Sequence, residues 1–227
     1  MISKKINQRI SLSFYLLIIL YLTSCSVISK KYTAGSSYLN ESKYVEYLPG
    51  TLPIVISVPH GGYLMPDTIP DRDCDNCVYV RDSYTQELAR SIRDNFFKET
   101  GNYPHMVINL LNRKKFDANR DKADAADGNK TVEKAWSDYH QFINIAKAQI
   151  DKDFEKGLFI DLHGHGHKLQ RIELGYFLVK DELQLTDSIL NTEEYVNKSS
   201  IKNLVNSNLN NLSHSQLLRG NNSLGTF

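Results

Sequence analysis

Short apolar runs that stop abruptly at a histidine beside a glycine are the feature that most constrains this chain. Leu52-Pro53-Ile54-Val55-Ile56-Ser57-Val58 is nearly continuous and β-branched, the pattern of a strand covered on both faces, and it ends at Pro59-His60-Gly61-Gly62. Gly157-Leu158-Phe159-Ile160-Asp161-Leu162 repeats the pattern and breaks at His163-Gly164-His165-Gly166-His167. Met106 to Leu111 is a further strand candidate, running into the polar stretch Asn112 to Asp127, and Ile172 to Val179 reads as a fourth. Between them lie helical periodicities. Asp82 to Thr100 carries Tyr84, Leu88, Ile92 and Phe96 as a stripe closed by Gly101, with Asp82 or Ser83 placed to cap its start. From Thr131 to about Glu155 the spacing of Ala135, Trp136, Tyr139, Phe142, Ile143, Ala146, Ile150 and Phe154 predicts a long amphipathic helix. Strands alternating with helices predict one α/β domain over residues 43–227.

The first 25 residues do not fit that pattern. A basic start with Lys4, Lys5 and Arg9 leads into the apolar run Leu12 to Leu22, too short for a membrane span of roughly 20 residues, and then Leu22-Thr23-Ser24-Cys25. This resembles the signal peptide and lipobox of bacterial lipoproteins, in which Cys25 would be acylated and become the new N-terminus. The expectation is a protein of the bacterial cell envelope, extracytoplasmic and held to a membrane by its lipid, with residues 26–42 as a tether. In that compartment Cys74 and Cys77, a CxxC in an Asp/Pro-rich loop, read as a local disulfide. Half a zinc site and a redox pair are the other meanings of the motif, and no second CxxC completes a four-cysteine site. With 27 Lys+Arg against 26 Asp+Glu there is no excess field for a phosphate backbone, so nucleic acid is not an expected partner.

His60 and His163 each follow a separate strand, and ligands in open α/β sheets gather at the carboxyl ends of strands. Glycines beside both let a ligand approach the backbone. Asp161 lies two residues before His163 on the same strand face, where it can orient the imidazole from behind.

Four blocks then resemble, in order, those of the N-formylglutamate amidohydrolase family. They are Ser57-Val58-Pro59-His60-Gly61-Gly62, Arg81 to Ala89, Arg113-Lys114-Lys115-Phe116-Asp117-Ala118-Asn119-Arg120-Asp121, and Asp161-Leu162-His163-Gly164-His165. The resemblance implies a zinc carboxypeptidase-like (phosphorylase/hydrolase-like) fold, a three-layer α/β/α sandwich around a mixed sheet. It implies one zinc per chain, used to hydrolyse the amide of an N-acyl amino acid or short peptide bearing a free carboxylate. His60 and His163 would be metal ligands and Asp82 the third, in place of its alternative role as helix cap; two histidines and a carboxylate leave a tetrahedral position open. Asn119 and Arg120 match the pair that grips the substrate carboxylate, and Arg113 would stabilise the developing oxyanion. His165 or His167 would replace His163 if the strand ended later. The resemblance also implies a general-base glutamate on a late strand that lies beyond Phe227, so the domain is expected to be incomplete at its C-terminus. Glu173, Glu182, Glu193 and Glu194 do not stand in the context for that role. The alternative expectation is therefore a non-catalytic lipoprotein that keeps a pocket for a metal or a carboxylate.

Overall fold

The computed structural model describes residues 31–169, 171–221 and 223. The signal segment 1–25 with its Cys25, and the first residues of the expected tether, lie outside them. The described residues form two compact units, one ending at His165 and one beginning at Gly166.

The first unit is built on a mixed five-stranded sheet in the order β1-β2-β4-β3-β5. Its strands are β1 (Tyr38–Leu39), β2 (Val45–Leu48), β3 (Ile54–Val58), β4 (His105–Asn109) and β5 (Leu158–Asp161). β3 pairs in parallel with both β4 and β5, whereas β1 and β2 add antiparallel to the β4 side. The alternation of a strand sorts the core into two faces. Val45, Tyr47, Val55 and Val107 pack against helix α3 (Lys130–Phe154), while Leu48, Ile56, Val58, Met106 and Ile108 pack on the other face with Ala89 of helix α1 (Thr85–Thr100). The result is helix, sheet, helix, an α/β fold with a mixed sheet.

Helix α3 follows the predicted periodicity. It buries Val132, Ala135, Tyr139, Phe142, Ile143, Ala146 and Ile150, and the Asn129 side chain caps it by accepting from Thr131 N–H and Val132 N–H. Phe154, expected on the apolar stripe, is largely exposed at the helix end.

Four expectations for the first unit are corrected. Helix α1 buries Thr85, Gln86, Ala89 and Arg93 and leaves Tyr84 and Leu88 exposed, while Ile92 packs against the core and Phe96 is half-buried, so only the second half of the expected stripe turns inward. Neither Asp82 nor Ser83 caps it: the N-cap is Tyr84, in the left-handed region at φ 64° with no side-chain cap bond, because the Asp82 carboxylate is engaged elsewhere. β5 is not a buried strand. It is the sheet edge, with Leu158, Phe159 and Ile160 each more than a third exposed, since β3 covers only one of its sides. Residues 26–42 are not all tether either, because Tyr38–Leu39 enters the sheet opposite Tyr47 and Glu46.

Between β4 and α3, the chain forms the short helix α2 (Lys122–Ala126) and a loop over the carboxyl end of the sheet. Cys74 and Cys77 are joined in a disulfide in the preceding loop, as expected. That loop is tied down by the buried Arg72 guanidinium, which donates to the carbonyls of Val78, Arg113 and Asp124.

The second unit carries five short helices, α4 (Lys180–Leu183), α5 (Asp187–Leu190), α6 (Glu193–Lys198), α7 (Lys202–Ser207) and α8 (His214–Arg219). They close over a small cluster of Tyr176, Leu178, Leu190 and Leu218. The strand expected at Ile172 to Val179 is absent among the described residues. Its alternation is real, with Tyr176 and Leu178 inward and Phe177 and Val179 outward, but no neighbouring strand pairs with it.

Candidate metal centre

His60 and His163 stand two residues past the ends of β3 and β5, parallel neighbours, so both imidazoles emerge at the same edge of the sheet. Asp82 arrives from the turn before α1, held there by its backbone N–H donating to His60 C=O at 3.1 Å. Glycines permit the approach. A Cβ on Gly62 would stand 2.1 Å from Leu111 O, and one on Gly164 3.2 Å from Asp82 Cβ.

Three ligand atoms converge. His60 Nδ1 lies 3.2 Å from His163 Nδ1, His163 Nδ1 lies 3.1 Å from Asp82 Oδ2, and His60 Nδ1 lies 3.6 Å from the same oxygen. Bonds of about 2.0–2.2 Å at tetrahedral angles put neighbouring ligand atoms about 3.3–3.5 Å apart, and the observed triangle brackets that spacing. Two imidazole Nδ1 atoms have no reason to meet at hydrogen-bond distance beside a carboxylate unless a cation, a proton or a metal ion, sits between them. These residues therefore fit a divalent ion bound by two nitrogens and an oxygen.

Each imidazole is braced on its far side. His60 Nε2 is 2.7 Å from Asp117 Oδ1, and His163 Nε2 is 2.9 Å from Asp161 Oδ2. With Nε2–H donating to the carboxylate, the Nδ1 lone pair is aimed at the centre, the arrangement that fixes tautomer and ring orientation in metal-binding histidines. Asp161 was read in this place from the sequence. Asp117, which nothing in its sequence surroundings sets apart, braces His60 and is the most buried acid of the site at 0% exposure. Its second oxygen accepts from Arg113 Nε at 3.0 Å, with the guanidiniums of Arg72 and Arg120 at 3.8 and 3.9 Å.

The electrostatics follow from these partners. Burial opposes ionisation of Asp82, but hydrogen bonds from His163, His60 and Gly164 N–H outweigh it and hold the carboxyl well below the usual range. Asp117 is likewise penalised by burial and held low by His60 and Arg113. In Asp161, bonds from His163, Ser57 and Asn119 overcome desolvation. Asp161 and Asp82 together raise His163 to about 9, against the opposing effect of burial.

The remaining predicted residues surround this triangle. Arg113, mostly buried, bridges Asp117 and Asp82, with Nη1 3.8 Å from Asp82 Oδ1. Asn119 donates its amide to Asp161 Oδ2 at 2.7 Å, so the group expected to meet a substrate carboxylate is engaged with a protein one. Arg120 leaves its guanidinium half exposed. Helix α3 grips the two carbonyls flanking Asn119: Trp136 Nε1 donates to Arg120 C=O at 3.0 Å and His140 Nε2 to Ala118 C=O at 3.1 Å. His163, and neither His165 nor His167, supplies the ring that meets His60 and Asp82. In the second unit, Glu173 pairs with His167 and Arg171, and Glu182 with Lys198.

No family model, curated protein or solved structure matches the chain.

Proposed function

We propose that the first unit is a zinc-dependent amidohydrolase, in a carboxypeptidase-like α/β/α frame, that cleaves the amide of an N-acyl amino acid or short peptide with a free carboxylate. The observation that carries this reading is the triangle of His60 Nδ1, His163 Nδ1 and Asp82 Oδ2, each imidazole backed by its own carboxylate. When bound, a zinc ion supplies Lewis acidity to a carbonyl and lowers the pKa of water. His60, Asp82 and His163 hold the ion, while Asp117 and Asp161 set the ring orientations. Arg113 keeps a guanidinium beside the centre, where a developing oxyanion needs positive charge. Arg120 presents a planar, half-exposed fork suited to a carboxylate. The signal-like segment ending at Cys25 supports an extracytoplasmic, lipid-anchored address, and so does the Cys74–Cys77 disulfide. Among the described residues no helix is long and apolar enough to cross a membrane.

The test is direct. Purified protein should carry close to one zinc per chain and release amine from N-formyl or N-acetyl amino acids in a chelator-sensitive manner, and His60→Ala and His163→Ala should lose both. Metal content unchanged in both variants sinks the site. A second reading, a non-catalytic lipoprotein that binds metal or carboxylate, is favoured by one observation. Among the described residues no glutamate is hydrogen-bonded or ion-paired to His60, Asp82 or His163. Stoichiometric zinc without hydrolysis of any N-acyl amino acid selects that reading.

A further inference from the structure

Two hydroxyls in the first unit's core have no packing reason to be there. Ser57 interrupts the otherwise apolar β3 at 1% exposure, and Tyr139 sits at 0% on the inner face of α3 among Phe116, Ala135 and Ile143. Alanine and phenylalanine would fill the same places without burying polar atoms, which is costly unless they are bonded. They are bonded, and to each other: Tyr139 Oη lies 2.6 Å from Ser57 Oγ, which donates to Asp161 Oδ1 at 2.8 Å. The parallel register of β3 and β5 sets Ser57 opposite Asp161, so the short serine side chain reaches across the ladder.

The direction of this chain is determined by counting protons. Serine has one, and it goes to Asp161; Tyr139 must therefore donate to Ser57. Asp161 Oδ1 is thereby committed, which leaves Oδ2 for His163 Nε2 and Asn119 Nδ2. A carboxylate held at one oxygen cannot rotate about its χ2 without breaking that bond, so the plane in which it accepts from His163 Nε2–H is fixed from within the core, on the α3 face of the sheet.

We infer that Ser57 and Tyr139 are positioning residues of the metal centre, a directed hydroxyl chain from α3 through β3 to Asp161 that fixes the ring orientation of His163. The inference rests on the reading of His60, Asp82 and His163 as metal ligands and extends that centre into the core of the fold. It assigns roles to Ser57, which heads one of the four blocks but carries no part there, and to Tyr139, which reads from the sequence only as helix core.

The experiment is a double-mutant cycle on zinc affinity, measured by chelator competition, with the absorption spectrum of the cobalt-substituted protein as a second signal. Ser57→Ala should weaken zinc binding by about 10- to 100-fold, the usual effect of removing a partner behind a ligand. Tyr139→Phe should weaken it several-fold at most, because Ser57 still donates to Asp161. Elements acting in series are not additive, so Tyr139→Phe should cost no further affinity in the Ser57→Ala background. Thermal unfolding of the chelated proteins separates this from loss of fold, and Tyr139→Phe, being nearly isosteric, remains informative should Ser57→Ala not fold. Wild-type zinc affinity and cobalt spectrum in a folded Ser57→Ala protein would overturn the inference while leaving the metal centre standing, as would losses that simply multiply in the double variant. Failure of the wild-type protein itself to bind zinc overturns the underlying reading instead.

Discussion

Asp117→Asn tests the buried half of the site with the smallest possible change in shape. The carboxylate is fully buried and accepts from His60 Nε2–H at 2.7 Å, from Arg113 Nε–H at 3.0 Å and from Asn119 N–H at 3.2 Å. An amide keeps one acceptor, and its NH₂ must then face either His60 or Arg113, donor against donor. One hydrogen bond to a charged group is lost outright, worth about 1.5–3 kcal/mol, and the buried Arg72 loses the counter-charge 3.8 Å away. Removing one partner of a buried charge pair typically costs about 3–5 kcal/mol, so a loss near 3–5 kcal/mol is expected in urea unfolding of the chelated protein. His60 loses the group that fixes its Nδ1 lone pair, and zinc affinity should fall by about 10- to 100-fold in chelator competition. Asp121→Asn, on the exposed loop four residues on, is the control and should do neither. An Asp117→Asn protein that binds zinc like wild type would falsify the claim that this carboxylate orients the ligand.

Three further outcomes are expected. His105, whose Nδ1 accepts from Gly50 N–H and lies against Tyr47 Oη, is lowered by burial to about 4. The unfolded chain takes up its proton near 6.5 and the folded one only near 4, so stability is fully present above 6.5 and is lost as pH falls between them, by about 3 kcal/mol. His105→Gln should flatten that interval of the curve, and an unchanged slope would refute the assignment. Arg120→Lys keeps the charge but not the fork, and should raise KM for carboxylate-bearing substrates by about 10- to 100-fold while sparing amidated analogues; equal losses on both would show another role. Gly62→Ala drives a Cβ to 2.1 Å from Leu111 O and should cost about 1–3 kcal/mol, with weakened zinc binding because His60 is two residues away. Wild-type stability in that variant would mean that the loop yields freely.

Much of the frame was legible because it rests on long, strongly periodic segments. The runs at β3 and β4 and the spacing of α3 each announced their element, and the glycines beside His60 and His163 marked the carboxyl edge of the sheet. β1 and β2 were not read, because two- and four-residue strands leave no period to detect, and β2 joins the sheet through β4, about 60 residues away. The edge position of β5 was invisible for a related reason: a continuous apolar run looks the same whether one or two strands flank it. Within the site, His60 and His163 could be placed by the strands and glycines beside them, whereas Asp82 was reached only through the family resemblance. Asp117, Ser57 and Tyr139 could not be placed, since a buried polar group is recognised by its partners, and these lie 57, 104 and 82 residues off.

The wide separation of the three proposed ligands has a kinetic consequence. His60 is 22 residues from Asp82, and His163 lies 103 residues beyond His60. Closing loops of that length before parallel strands are paired is slow, and the triangle cannot exist until β5 has docked on β3. A motif with its ligands one helical turn apart can seize a cation while the rest of the chain is still unfolded. Here no two donors are close enough in sequence to chelate early. An ion bound by these three would therefore be chosen by a finished cavity of fixed size and charge, and discrimination among competing divalent metals would be exercised after folding and not by whichever one the nascent chain meets first.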